Sequence, residues 1–338
     1  MVNILITGGT GFLGTHLVKK LNSLGYNLKL LIRKNSNIST FQDLKNIEYN
    51  MGDVNSIETL YKATEDIDLI YHLAAYTRMW ARDKKVFEET NIKGMENIAK
   101  VALEKGIKLI YISSFIALGA TPAEPVDETF ESEEGLFLDY AQTKFQAKKI
   151  IKKYIQNGLN VIIFYPGIVY GPGDFNIFGQ TIYDITEGKF LGCPGKGDTI
   201  GSFVYVNDVI EGFISVIERN DLKGEEFILG GVNIKIGDWF NLISEIAGNA
   251  KKPRHFPMSL GILYGWLCEI KTKITKKMPY TNRATVKMLN HNWVYNSDKA
   301  IKELNYKITP LDVGLQETIA WYRNFNESQN TLKQKNRK

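Results

Sequence analysis

In the stretch "YAQTK", a phenol and an ammonium stand four residues apart, at Tyr140 and Lys144. The apolar spacing around them predicts a helix, on which residues four apart emerge from one face. A free tyrosine ionises near pH 10, at about 10 on the pKa scale, and a neighbouring cation favours its phenolate. The pair is therefore expected to bring the Tyr140 hydroxyl toward a working range. Such a hydroxyl can exchange a proton with a carbinol oxygen while the attached carbon exchanges a hydride. A third group should steady that oxygen. "LIYISSFIALG" ends a strand-like run in Ser113 and Ser114, and Ser114 is the assigned hydroxyl. Alone, each piece is common, because a Tyr-x-x-x-Lys pair often lies on a solvated helix face and paired serines form turns. Their order behind a nucleotide-binding turn is what makes them a catalytic set.

That turn is "ITGGTGFLG", with Gly8, Gly11 and Gly14 in G-x-x-G-x-x-G spacing between a predicted strand and a predicted helix. Glycines let backbone approach a ligand closely, and the following helix aims free N–H groups at phosphate. Gly8, Thr10, Gly11, Phe12 and Leu13 are thus expected around a dinucleotide pyrophosphate. At the end of the second strand, "LLIRKN" places Arg33, with Lys34 behind it, where an NAD-binding chain would carry a carboxylate. This charge favours NADP over NAD. In "GDVNS", Asp53, next to Val54, is expected either to accept from the adenine amino group or to cap a helix starting near Ser56.

The elements that must position these groups follow from periodicity. "NILIT", "LKLLI", "DLIYHLA", "KLIYIS" and "NVIIFY" are short, continuous apolar runs separated by helical patterns, as in a parallel sheet covered on both faces. Leu13, Leu17, Leu21 and Leu24 form a helical stripe that stops at Gly25. The repeated βαβ pattern predicts an α/β fold: a doubly wound parallel-sheet Rossmann domain over residues 1–165, with ligands at the carboxyl ends of its strands. Segments near 200–230 are expected to return to it. A smaller, mostly α C-terminal substrate region is expected over 166–325. The last thirteen residues, "NESQNTLKQKNRK", lack an apolar face and predict a disordered tail over 326–338.

Composition narrows the class. Hydrophobic residues make up 44% of the 338, enough for a large core, and the net charge of +5 drops to +2 without the tail, which holds four bases and one acid. No concentrated basic footprint for nucleic acid exists in such a chain. Cys193 and Cys268 stand far apart with no C-x-x-C spacing, which predicts neither a disulfide framework nor a metal site. His72 is expected to pack rather than react, since His16, His255 and His291 offer no ligand spacing. The longest greasy run, "FPMSLGILYGWLC", is 13 residues, too short to span a bilayer. With no basic leader at its start, the chain reads as soluble and cytoplasmic.

"TGGTGFLG", "GDV", "HLAA", "NIKG", "SSFIALG", "YAQTK" and "YPGIVYGPG" follow one another as in the extended short-chain dehydrogenase/reductase superfamily, which the chain resembles over residues 1 to 325. The resemblance implies a catalytic triad of Ser114, Tyr140 and Lys144, with the lysine also holding the nicotinamide ribose. It further implies cofactor contacts from Leu73, Ala74 and Ala75 and from Pro166 to Val169, and a helix carrying Asn91 behind the site. "SSFIALG", "YPGIVYGPG", "YGWL" and "HNWVYNSDKAIKELNYK" are similar to dihydroflavonol-4-reductase-like and farnesol dehydrogenase-like members, which act on lipophilic alcohols and ketones. The farnesol enzymes imply NAD where Arg33 favours NADP. The superfamily often pairs helices into a homodimer, though no stripe here decides that.

An apolar substrate also suits Tyr76, Met79, Trp80, Phe115, Phe137, Tyr170, Phe175 and Phe178, a minority of which are expected to touch it. Of these, Tyr76, Trp80, Phe115 and Tyr170 are the assigned substrate contacts. "SLGILYGWLCEIKTKITKK" runs from an apolar half into Lys271, Lys273, Lys276 and Lys277, as in a solvated surface helix, a lid or a peripheral membrane contact. Two rivals remain: a sugar-nucleotide epimerase that retains NAD, and a non-catalytic NADP-sensing module. Dehydration is disfavoured, because Phe115 and Ile116 follow Ser114 where dehydratases of the superfamily carry Asp-Glu.

Overall fold

The computed structural model describes residues 2–249 and 252–335. Its centre is a seven-stranded parallel sheet. The strands in chain order are β1 (Asn3–Thr7), β2 (Asn27–Ile32), β3 (Ile47–Met51), β4 (Leu69–His72), β5 (Lys108–Ile112) and β6 (Val161–Pro166). Three strands outside it follow, β7 (Ile168–Tyr170), β8 (Cys193–Pro194) and β9 (Ile200–Tyr205), and then β10 (Glu226–Leu229) completes the large sheet. Its order is β10-β6-β5-β4-β1-β2-β3, so the chain reverses direction across the sheet between β1 and β4. Ligand crevices form at such a reversal, outside the carboxyl ends of the strands.

The sheet is sandwiched by helices α1 (Phe12–Ser23), α2 (Ile57–Ala63), α3 (Lys85–Glu88), α4 (Gly94–Lys105), α5 (Asp139–Gln156) and, after α6 (Ile177–Thr186), α7 (Val206–Ile214). Double coverage explains the unbroken apolar strands: Ile4, Leu5 and Ile6 are fully buried, as are Leu17, Val18 and Leu21 on α1. Each such side chain contributes about 1.5–3 kcal/mol relative to exposure. The predicted stripe ends at Leu21. Leu24 lies past the end of α1 and is exposed, because the chain turns out at Gly25 with φ of +85°.

The segment 200–230 divides between two sheets. β9 joins β7 and, with β11 (Val232–Lys235), makes a three-stranded sheet, whereas α7 packs on α1 and β10 pairs with β6. The remaining elements are α8 (Ile236–Ile246), β12 (His255–Phe256), α9 (Met258–Thr275), α10 (Arg283–Met288), α11 (Asp298–Leu304) and α12 (Leu311–Lys335). β12 pairs with β8.

One correction concerns the tail. Where composition predicts disorder from residue 326, the backbone stays helical through Lys335, and residues 336–338 lie outside the described residues. An anchored helix propagates at little cost per residue, and Asn326 is held by Tyr183 and Glu187 on α6 and just beyond it. Both cysteines are free. Among the described residues no cluster of His, Cys, Asp or Glu suits a metal ion, and no helix is long and apolar enough to cross a membrane.

Candidate active site

A cavity of about 2000 Å³ runs along the carboxyl ends of the sheet and out between α6, α9 and α10. Its first section is built by the glycine turn. Gly8 has φ of +76°, and a Cβ there would lie 2.6 Å from the Ala74 nitrogen, so only glycine lets β1 end against the Leu73–Ala74 backbone. A Cβ on Gly14 would lie 2.2 Å from the Gly8 carbonyl oxygen. Gly11 occupies the N-cap of α1 without a side-chain cap, and the first turn contains no acidic residue. The positive helix end is thereby left to the cavity, which Gly8, Thr10, Gly11, Phe12 and Leu13 line. This cradle of glycines and an uncapped helix end fits a dinucleotide pyrophosphate.

Farther along, Arg33, Asp53 and Val54 line the same cavity together with Ser36, Asn37 and Thr40. Arg33 is exposed, and its backbone N–H donates to Ser36 Oγ at 3.0 Å. The two readings of Asp53 separate here. Ser56 caps α2 by accepting from the Thr59 N–H, while Asp53 Oδ1 accepts from the Asn55 N–H at 2.9 Å inside the turn. Ser36, Asn37 and Thr40 escaped sequence reasoning, since polar residues after a strand look like any loop.

The chemical centre lies between β5 and α5. Ser114 follows β5, while Tyr140 and Lys144 occupy the first turns of α5, and all three line the cavity. Ser114 lies near enough to the Tyr140 hydroxyl to favour its ionised form. Ser114 Oγ also accepts from the Ile116 N–H at 3.4 Å, fixing its rotamer. Lys144 Nζ is buried, donates to the Ile112 carbonyl at 3.2 Å and lies 5.2 Å from the centre of the Tyr111 ring.

The electrostatics differ from expectation. Burial pushes Tyr140 up to about 12, and Ser114 is the influence that opposes it. Lys144 is not among the influences on the phenol, and burial lowers its own pKa to about 7. In the protein alone, desolvation outweighs the field of the neighbour.

Buried polar groups brace this centre from behind. Asn91 sits in a π-helical turn, Glu89–Lys93, and its Oδ1 accepts from the Tyr76 N–H at 2.7 Å. Its Nδ2 donates to the Tyr76 carbonyl and to Thr143 Oγ1, at 3.2 and 3.0 Å. One side chain thus ties the loop after β4 to the helix that carries Tyr140 and Lys144. His72 packs as expected: it is buried, hydrogen-bonded to Thr7 Oγ1 at 2.8 Å, and lowered to about 3 by burial.

Leu73, Ala74, Ala75, Pro166 and Val169 all line the cavity. Beyond them the wall becomes apolar, with Tyr76, Met79, Trp80, Phe175 and Phe178. Two assigned substrate residues are corrected. Phe115 points away from the cavity and packs between Trp293 and Tyr295. Tyr170 is fully buried against Tyr205 and Trp239. Phe137 likewise stands outside, against His291. An aromatic next to a functional residue in sequence points to the opposite side of its strand or turn as readily as into the site.

The model of the NAD dependent epimerase/dehydratase family matches residues 4–230. The chain belongs to that family. It is an enzyme of the short-chain dehydrogenase/reductase type that depends on a nicotinamide dinucleotide. A protein of Synechocystis sp. that carries a dihydroflavonol 4-reductase name is 27% identical and aligns over 94% of each chain. Sterol demethylase protein B of Methylococcus capsulatus is 26% identical over 94% of this chain and 98% of its own. The crystal structure of gox2253 superposes with a TM-score of 0.80 at 33% identity, covering 96% of this chain and 99% of that one.

Membership in the family gives the glycine cradle its occupant class, a nicotinamide dinucleotide. It leaves the far wall of the cavity to be read from this chain alone. Tyr264, Met278, Tyr280 and Leu289 belong to that wall and lie more than a hundred residues past Tyr140. No spacing signal in the sequence links them to the site.

Proposed function

We propose that this enzyme is a dehydrogenase/reductase that interconverts a lipophilic alcohol with its ketone or aldehyde. The observation that carries the reading is one cavity in which Ser114, Tyr140 and Lys144 meet between the glycine cradle and a wall rich in aromatic side chains. The bound nicotinamide supplies or removes hydride at the carbinol carbon. Gly8, Thr10, Gly11, Phe12 and Leu13 would hold the pyrophosphate, and Leu73, Ala74, Ala75, Pro166 and Val169 would flank the nicotinamide half.

The Tyr140 hydroxyl gives its proton to the carbonyl oxygen in reduction and takes it back in oxidation. Ser114, beside Tyr140 in the cavity wall, orients that oxygen. Lys144 lies one helical turn on, anchored by the Ile112 carbonyl, and holds the nicotinamide ribose; in its protonated form it also stabilises negative charge that develops on Tyr140. Tyr76, Met79, Trp80, Phe175 and Phe178 exclude water from the apolar end. Arg33 beside Ser36 favours a 2′-phosphate, hence NADP over NAD.

A second reading, a sugar-nucleotide epimerase that retains NAD, draws support from the family to which residues 4–230 belong. The test separates the two. Purified protein is denatured and any released nucleotide identified, and intact protein is assayed with both cofactors against prenyl, sterol and flavonoid carbonyls. Exchangeable nucleotide with net oxidation or reduction of one lipophilic class supports the proposal. Stoichiometric retained NAD, with no net turnover of any of them, refutes it.

A further inference from the structure

Helix α9 is inside out relative to an ordinary surface helix. Its face toward the protein is made of Gly261, Gly265 and Thr272, all buried. A Cβ on Gly261 would lie 2.6 Å from Pro194 Cβ, and one on Gly265 would lie 2.8 Å from the Arg283 nitrogen. The helix is therefore pressed flat against β8 and the start of α10 and cannot roll to bury its larger side chains. Most of those side chains face out, with Ile270 partly buried. Leu260, Leu263, Leu267, Ile270 and Ile274 repeat at alternating steps of three and four, which places them in one stripe. Leu260, Leu263 and Leu267 are each at least half exposed, and Ile274 is 78% exposed. Trp266 flanks the stripe on the same exposed side.

Charge says what covers this face. Between residues 252 and 277 there are six bases and one acid, Glu269. Glu269 is already paired with Arg283 at 2.8 Å. By helical angle Lys271 and Lys273 bracket the apolar stripe, and both are exposed, as are Lys276 and Lys277 beyond it. A second copy of this helix is a poor match: side by side in parallel it sets lysine against lysine, and antiparallel it sets lysine against Ser259 and Leu263, with no carboxylate. An apolar stripe edged by lysines with an adjacent tryptophan instead matches an anionic bilayer surface, where leucines enter the acyl boundary and lysines reach lipid phosphates. The cavity opens at this edge. Tyr264 on α9 lines it and is partly exposed, as are Met278, Tyr280 and the 75% exposed Leu191.

We propose that the outward face of α9 docks the protein on an anionic phospholipid bilayer, placing the cavity mouth at the membrane surface. The inference stands on the helix itself, whichever carbonyl the enzyme turns over. The lysines draw the chain to the surface, and the leucine stripe lies in the plane of the interface. A lipophilic molecule could then pass from the bilayer into the cavity without crossing water.

The test is flotation of the full chain with vesicles of phosphatidylcholine, or of equal parts phosphatidylcholine and phosphatidylglycerol, at low and high salt. Wild type is expected to float with the anionic vesicles at low salt and to be released by high salt. Leu263→Glu with Leu267→Glu, and separately Lys271→Glu with Lys273→Glu, should each weaken binding roughly tenfold or more. None of these four residues lines the cavity, so nucleotide binding and melting temperature should stay at wild-type values and confirm folding. Wild type left unfloated at low salt would overturn the proposal, as would folded variants that float like wild type. Sedimentation of wild type as a dimer that Leu263→Glu with Leu267→Glu dissociates would assign the stripe to a second copy and overturn it equally.

Discussion

The cofactor half and the substrate half of the cavity are built on opposite principles. Around the glycine turn, the wall residues come mostly from strand ends of the large sheet and from the helices α1 and α5 packed on it, and the central strands β1, β4, β5 and β6 are buried almost throughout. A displacement there would have to move a packed core. The apolar half is assembled from the loop at 76–80, from α6 and from α9 and α10 with their connection. Several of its side chains, Phe175, Leu191, Tyr264, Met278 and Tyr280 among them, are also substantially exposed. The contrast separates a rigid frame that fixes the chemistry from a looser rim that selects what reaches it.

Substitutions should divide along that line. The largest effect is expected at Lys144→Met, which should lower turnover by roughly 10²–10⁴-fold. It also carries a stability signature. Burial lowers Lys144 from 10.5 to about 7, so between those values the unfolded chain binds more protons than the folded one and wild-type stability rises with pH. The variant should lose that rise and gain melting temperature relative to wild type below pH 7. Identical pH profiles in thermal unfolding would show that Lys144 is not desolvated. Gly8→Ala comes next: its left-handed backbone and the Ala74 contact predict a loss of about 2–3 kcal/mol in folding stability or nucleotide affinity, read by melts with and without nucleotide. Arg33→Asp should weaken NADP by roughly 10–100-fold while changing NAD little, and equal losses would remove Arg33 from the 2′ position. The smallest effect belongs to the rim. Leu191→Ser should raise KM for a lipophilic substrate a few-fold, leave kcat alone and shift stability by less than about 0.5 kcal/mol. A fall in kcat there would blur the division between frame and rim.

The same division decides what could be read from the sequence. The glycine turn, the serines after β5 and the Tyr140–Lys144 pair are local patterns whose geometry is set by a strand end or a helical turn, and the structure brings all of them to one cavity. Asn91 was legible as a residue behind the site, but its grip on Tyr76 and Thr143 depends on a π-helical turn that no periodicity signals. Phe115 and Tyr170 misled because proximity in sequence says nothing about which side a ring takes, and both serve the core. Tyr264 and Tyr280 were unreadable as wall residues because tertiary packing alone brings α9 and its following loop to the cavity. The shift of Tyr140 was misread for a related reason: a charge is visible in a sequence, whereas the burial that overrides it belongs to the fold.

The account rests on Tyr140 as the group that moves the proton. Its most direct test is Tyr140→Phe, which deletes one oxygen and keeps the ring, measured for nucleotide dissociation and for single-turnover reduction in one preparation. Nucleotide affinity within about threefold of wild type and a rate down by roughly 10²–10⁴-fold is the expected result. A variant that turns over at the wild-type rate would contradict the account.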